Sequence, residues 1–334
     1  MSETHANLNK GAKDLARCPF PIPMGWFFVD YSENLAKGEI RNVNLLDQEW
    51  TIWRGESGKV SMSDPYCPHL GAHMGHGGTV QGDNIRCPFH HWQFDGDGWN
   101  KDIPYGKVTP PICKKQAILR TLPIFEKWGL IFCWYHPNGE APIWEMPEIE
   151  ELSDTDNYVE PHRGEWTAAT AVQEIAENGV DFAHLRFLHG EKEIPPAEYS
   201  FDWPYYNVNM NNGYIVGKMF GPGLNVYKFT HEGVTATMVN YTQPVDKENS
   251  IIRMSFTHKK YEEGTKEAMI AQHLVAHMVG SADGKDSAGF EEVDFIVWNN
   301  KKYRPNPLLC DGDGPIIQYR KFFSKFYDGS GYSE

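Results

Sequence analysis

Positive charge and cysteine are both scarce in this chain. Its 45 Asp and Glu outnumber 31 Lys and Arg, a formal net charge of −14, and a surface of that sign repels a phosphate backbone unless a local basic patch intervenes. Nucleic acid is therefore not an expected partner. The six cysteines, at positions 18, 67, 87, 113, 133 and 310, are too sparse for a disulfide scaffold and fit a reducing, cytoplasmic compartment. No stretch approaches the roughly 20 apolar residues of a membrane span. The opening MSETHANLNKGAKDLARC lacks the apolar run of a secretory signal. No G-x-G-x-x-G follows a strand-like run, so no dinucleotide site is expected.

Aromatic residues, by contrast, make up 13% of the 334, which excludes a disordered chain. The length exceeds twice that of a typical domain of about 150 residues, so two domains are expected. From about Phe20 to Pro142 the apolar runs are short and punctuated by Gly, Asn, Asp and Pro: Trp26 to Val29, Glu49 to Arg54, Val60 to Met62 and Gly129 to Tyr135. This pattern predicts a small antiparallel β domain. The acidic, Pro-bearing stretch from Ile143 to Arg163 suits a connector, placing the division near 150, with domains at 20–150 and 151–334. Beyond it the sequence predicts a helix from Thr167 to about His189, strands between Tyr205 and Thr257, and helices over Thr265–Val279, Ala288–Asn299 and Ile316–Phe326. Strands grouped between helices make this half α+β.

The segment CPHLGAHMGHGGTVQGDNIRCPFHHW contains two short clips, Cys67-Pro68-His69 and Cys87-Pro88-Phe89-His90, with 17 residues between them. Each offers a soft thiolate and an imidazole, a donor set for a mixed sulfur and nitrogen site. Four such ligands can surround one structural zinc. They can also place two Cys on one iron and two His on the other of a Rieske [2Fe–2S] centre. Chance clustering in a His-rich loop is a third reading, weakened by the position of both clips between strands. His73, His76 and His91 fall outside the spacing and read as loop residues.

In EIAENGVDFAHLRFLHG, Glu177, Asn178, Asp181, His184 and His189 lie within 13 residues. Asp181 and His184 share a helix face, but His184 and His189 would stand about 140° apart on a regular helix. Both reach one ion only if the helix breaks, and Gly179 and Gly190 are placed to break it. Alone, H-x(4)-H reads as two ordinary histidines at a helix end. A carboxylate to complete the set comes from GFEEVDFIVWNNKKY, where Phe290, Val293 and Val297 form a stripe with Asp294 inside it and Glu291 and Glu292 pointing elsewhere. A carboxylate on an apolar face is costly to bury without a cation; the alternative is a solvent-facing Asp at a helix edge. Asp283, Asp286, Asp311 and Asp313 sit in Gly-rich loops, and the i, i+4 pair His273 and His277 has no supporting motif.

The paired clips resemble the Rieske motif C-x-H-x(15–17)-C-x-x-H, and Asn178 to His189 resembles the N-x-x-D-x-x-H-x(4)-H motif of Rieske non-haem iron oxygenases, in that family's order. VDFIVW is similar to the family's third-ligand helix. The resemblance runs from about Pro21 to Tyr327. CPHLGAHMGHGGTVQGDNIRCPFHHWQFDGDG looks like the Neverland-type cholesterol 7-desaturases, and NPLLCDGDGPIIQYRKFFSKFY looks like the 3-ketosteroid 9α-hydroxylase oxygenase components.

The resemblance implies an N-terminal all-β Rieske domain followed by an α+β, helix-grip-like catalytic domain. It implies a [2Fe–2S] cluster on Cys67, Cys87, His69 and His90, and a mononuclear Fe(II) on His184, His189 and Asp294, with O2 as cosubstrate. Asn178 would line the iron pocket. Asp181 would link His184 to His90 of a neighbouring subunit in a head-to-tail homotrimer. Electrons would come from a separate ferredoxin or reductase. The implied substrate is a steroid or sterol, hydroxylated or desaturated; the alternative is another hydrophobic substrate, aromatic or alicyclic. Its pocket is expected among Tyr214–Phe220 and Val226–Thr230. Neverland-type proteins usually carry an N-terminal membrane segment and this sequence shows none, so a soluble enzyme is expected. His91 stands where many members have Gly, and Leu70 where many have Arg. Two readings from other classes remain: an electron-transfer protein with the Rieske cluster alone, and a zinc-stabilised binding module.

Overall fold

The computed structural model describes residues 17–279 and 292–330. Its first half is made of short strands: β1 (Gly25–Tyr31), β2 (Ile40–Leu45), β3 (Gln48–Arg54), β4 (Val60–Ser63), β5 (Thr79–Gln81), β6 (Asn84–Arg86), β7 (Gln93–Phe94) and β8 (Asn100–Asp102). Helix α1 (Pro111–Lys115) and strands β9 (Ile124–Lys127) and β10 (Leu130–Tyr135) follow. They form three antiparallel sheets, in the orders β1-β10-β9, β2-β3-β4 and β5-β6-β7-β8. β2 and β3 are joined by Leu46 and Asp47 at φ of +61° and +62°, the two-residue turn whose twist matches a hairpin. β1 and β10 consist largely of aromatic and β-branched residues and are buried along most of their length.

After helix α2 (Glu150–Ser153) comes strand β11 (His162–Ala168), then α3 (Val172–Glu177), a 3-10 turn (Asn178–Val180) and α4 (Phe182–Phe187). Strands β12 (Ala197–Asp202), β13 (Tyr205–Met210), β14 (Ile215–Phe220), β15 (Leu224–His231), β16 (Val234–Pro244) and β17 (Ser250–His258) precede helices α5 (Lys266–Val279), α6 (Glu292–Trp298) and α7 (Ile316–Phe323). The strands make one antiparallel sheet of seven, ordered β11-β17-β16-β15-β14-β13-β12. β14 alternates between buried and exposed residues, as a strand with one wet face must. β16 is buried almost throughout, because β1 lies against it as well as α3 and α5.

Two expectations need correction. The helix predicted from Thr167 begins later: residues through Ala168 belong to β11, paired in register with β17 as far as Ala168 opposite Ser250. Pairing at the sheet edge overrides the local helical pattern. The stripe predicted on the Asp294 helix is also misplaced. Val297 is 42% exposed and Ile296 68%, whereas Asp294, Phe295 and Trp298 are buried. Phe295 lies 6.1 Å from Trp166 of β11, ring to ring, so contact with the sheet chose the inward face. Phe290, Glu291, Asp283, Asp286 and the predicted start of this helix at Ala288 lie outside the described residues.

The larger apolar cluster draws on both sides of residue 150, from Cys18 to Tyr327; a smaller one gathers Trp53, Cys67, Met74, Ile85, Cys87, Trp92, Phe94, Cys113 and Leu119. No helix among the described residues is long and apolar enough to cross a membrane.

Candidate metal centres

The two clips are built alike. Cys67 N–H donates to Ala72 O and Cys67 O accepts from Gly71 N; Cys87 N–H donates to Trp92 O and Cys87 O accepts from His91 N, all within 2.9–3.1 Å. Gly71 and His91 hold equivalent left-handed positions, at φ of +75° and +62°. Only the second clip asks a side-chain-bearing residue to adopt that conformation.

Each tight loop follows a strand, β4 or β6, and turns its cysteine into the smaller core. Both thiols are about 2% exposed. Burial first, and then the adjacent Cys87, push the Cys67 thiol up to about 12. The imidazoles lie outward and meet each other, His69 and His90 having ring centroids 4.9 Å apart. Sulfur is thus sorted with sulfur and nitrogen with nitrogen, inner pair and outer pair. This suits two irons better than the single point that one tetrahedral ion requires. His69 stacks on Trp92 at 4.6 Å and 6°, and Trp92 Nε1 donates to Tyr105 Oη at 3.0 Å. The outer histidine is therefore oriented by two aromatic residues that the spacing alone does not single out.

In the second half, α4 starts at Asp181, whose carboxylate caps it by accepting His184 N–H at 3.4 Å. The His184 ring turns back so that Nδ1 meets the Asp181 main-chain carbonyl. A carbonyl only accepts, so Nδ1 carries the proton and Nε2 is left for a metal. The Asp181 side chain therefore serves the backbone of His184 and its carbonyl serves the ring. The helix ends at Phe187 and Gly190 turns with φ +77°. That break brings the His189 ring to 5.0 Å from His184.

Asp294 Oδ2 lies 3.3 Å from His189 Nε2, and the three side chains present donor atoms within 4.8 Å of one another. A buried carboxylate beside two imidazoles is the 2-His-1-carboxylate set of non-haem iron sites. Asn178 Nδ2 donates to Asp294 Oδ1 at 2.9 Å. Glu177, in the same sequence cluster, is turned away into an ion pair with Arg320, and Asp313 accepts Cys310 N–H at 2.7 Å.

A second trio, Glu49, His73 and His76, also lies within 4.8 Å, but His73 Nδ1 accepts Gly75 N–H at 3.1 Å. In the neutral ring the proton is then on Nε2, which faces Glu49 Oε2 at 3.2 Å. His73 thus spends Nδ1 on the loop backbone and carries its proton on Nε2, so it is not a vacant ligand.

A cavity lies beside His184 and Asp294 and is lined mostly by apolar side chains, as small-molecule sites are. Ile215 and Met219 of β14 and Tyr227 and Phe229 of β15 line it, in the strands expected to do so. Tyr206, Met210, Met238, Asn225 and Asn240 also line it. The two asparagines face each other across β15 and β16.

Residues 25–123 match the Rieske [2Fe–2S] domain family, and residues 133–327, more than half of the chain, match the 3-ketosteroid 9alpha-hydroxylase C-terminal domain family. The chain belongs to the Rieske non-haem iron oxygenases. Among curated relatives of this oxygenase, a cholesterol 7-desaturase of Caenorhabditis elegans is 32% identical over 352 residues, covering 92% of this chain and 78% of the relative. The 3-ketosteroid-9-alpha-monooxygenase oxygenase component of Rhodococcus rhodochrous is 28% identical, covering 92% and 81%. Dicamba monooxygenase bound to 3,6-dichlorosalicylic acid shares the fold at a TM-score of 0.68, with 15% identity and 92% and 98% of the two chains covered. The oxygenase is an oxidoreductase with a Rieske [2Fe–2S] cluster and a mononuclear iron.

Proposed function

We propose that this enzyme is the terminal oxygenase of a monooxygenase system that hydroxylates or desaturates a steroid or sterol with O2 and electrons from a separate ferredoxin or reductase. The observation that carries this reading is the largely apolar cavity that reaches His184 and Asp294 and holds two facing amides, Asn225 and Asn240. A fused-ring hydrocarbon with one or two oxygens matches such a lining: the body replaces water against Ile215, Met219 and Phe229, and an oxygen finds an amide N–H. The relatives named for cholesterol and 3-ketosteroid substrates support it.

In this reading Cys67, Cys87, His69 and His90 hold the cluster and His184, His189 and Asp294 the iron, over domains at 20–150 and 151–334. When bound, these groups supply single-electron transfer and O2-dependent attack on an unactivated C–H bond. The chain's own contributions are positional. Trp92 and Tyr105 orient His69; the Asp181 carbonyl sets the His184 tautomer; Asn178 holds Asp294; the strand side chains exclude water.

The half-buried Asp181 is the proposed hydrogen-bond bridge to His90 of a neighbouring copy in a head-to-tail homotrimer. Exposed apolar residues flank both ends of that contact, Leu70, Phe89 and Tyr105 beside the clips and Phe187 and Ile296 beside the iron ligands, and a heterologous pairing of unlike patches closes into a ring. A cytoplasmic location accords with six cysteines that form no disulfide.

Product analysis with a panel of sterols, 3-ketosteroids and aromatic acids, driven by a surrogate reductase, tests the substrate. Hydroxylated or desaturated steroid is expected; turnover confined to the aromatic acids would overturn the reading.

A further inference from the structure

Asn178 is held at both ends. Its Nδ2 donates to Asp294 Oδ1 at 2.9 Å, and its Oδ1 accepts from Trp298 Nε1 at 3.3 Å. An indole N–H can only donate, so it can meet only the oxygen end of the amide. The nitrogen end is then directed at Asp294, where a flipped amide would set oxygen against a carboxylate oxygen.

The three residues come from two places. Asp294 and Trp298 stand i, i+4 on α6, both buried at 4% and 3% exposure, while Asn178 opens the 3-10 turn after α3. That turn is pinned separately, by Tyr206 Oη donating to the Gly179 carbonyl at 2.9 Å. The helix thus supplies both the proposed ligand and the donor that orients the ligand's hydrogen-bonding partner.

We propose that Trp298 is a positioning residue for the mononuclear iron: through Asn178 it commits Asp294 Oδ1 to a hydrogen bond and leaves Oδ2, on the His189 side, as the one carboxylate oxygen offered to the metal. The inference rests on the assignment of His184, His189 and Asp294 as ligands. Its consequence is a one-oxygen carboxylate contact, which leaves more of the coordination sphere open than a two-oxygen contact. Trp298→Phe keeps a ring to pack on Phe295, now 5.2 Å away edge to face, but removes the N–H. Without it Asn178 is oriented by Asp294 alone, and its hold on Oδ1 loosens.

Trp298 also lines the cavity, so turnover cannot be the readout. The experiment uses protein with its Rieske cluster intact, the mononuclear iron removed by chelation and Co(II) added in its place, with no substrate present. Wild type should bind one Co(II) per chain at this site. Trp298→Phe should bind it about tenfold more weakly, the scale for partners that orient metal ligands, with an altered visible absorption as Asp294 loses its fixed orientation. Asn178→Leu should reproduce both changes, and the double variant should be no worse than Asn178→Leu alone, since both act on one chain of hydrogen bonds. Unchanged reduced-cluster EPR and thermal midpoint in the variants separate these effects from misfolding.

Wild-type protein that binds no Co(II) at this site would defeat the ligand assignment itself. Wild-type binding with an unaltered affinity and spectrum in Trp298→Phe, or in Asn178→Leu, would overturn the inference and leave the assignment standing. Additive losses in the double variant would overturn it equally.

Discussion

Arg320 and Glu177 form a buried, two-bond charged pair next to the second site. Arg320 Nε donates to Glu177 Oε2 at 2.7 Å and Nη2 to Oε1 at 2.9 Å, with each side chain 8% exposed. The guanidinium also donates to Arg304 O at 2.7 Å and lies 4.4 Å over the Tyr303 ring. The pair ties α7 to α3, one residue before Asn178. Arg320→Met retains most of the volume but leaves a carboxylate buried without its cation and close to Glu174, which burial already pushes above the ordinary value. Removing one partner of a buried pair costs about 3–5 kcal/mol, whereas replacing both by apolar residues is often neutral. The single variant should therefore lose about 3–5 kcal/mol, and Glu177→Leu combined with Arg320→Met should recover most of it. Equilibrium urea denaturation of the cluster-loaded protein, followed by tryptophan fluorescence, measures both. A single-variant loss below about 1 kcal/mol, or a double-variant loss equal to the sum of the two singles, would refute the reasoning.

Three further outcomes follow from particular contacts. His91→Gly relieves a left-handed backbone costing about 1 kcal/mol, partly offset by glycine's greater entropy in the unfolded chain, so the thermal midpoint should rise slightly with the cluster EPR unchanged; a fall would show that the imidazole makes a compensating contact. Glu126 is raised by burial, but Arg54, which it meets at 2.7 and 2.9 Å, outweighs this and holds it below the ordinary carboxylate value. Its stabilisation is complete above the unfolded value and lost as pH falls through the lower folded one, so the difference in urea midpoint between wild type and Glu126→Gln should shrink between pH 7 and pH 3. Asn240→Leu should raise KM for an oxygenated steroid about tenfold, the equivalent of one hydrogen bond of about 1.4 kcal/mol, in steady-state oxygen uptake; an unchanged KM would remove Asn240 from substrate binding.

The features legible in the sequence were those fixed by local spacing. The clips, Cys67 to His69 and Cys87 to His90, are short loops whose construction depends on few distant contacts. The break between His184 and His189 was foreshadowed by Gly190 and by the impossibility of joining them on a regular helix. Contacts at long range were not legible. Trp298 orients Asn178 across 120 residues of sequence. Asn225 and Asn240 meet only because β15 and β16 pair in one register, and the inward face of α6 was chosen by Trp166 rather than by its own apolar pattern. Trp92 and Tyr105, 13 residues apart, orient His69 without forming part of any ligand spacing.

The account is tested most directly by counting iron and acid-labile sulfide per chain in anaerobically purified protein, alongside Asp294→Ala, with EPR spectra after dithionite reduction. Wild type should hold three irons and two sulfides, two irons being in the cluster, and show a Rieske signal. Asp294→Ala should keep that signal and both sulfides but lose one iron. Zinc in a colourless protein, or a wild type that takes up no third iron even after ferrous reconstitution, would contradict it.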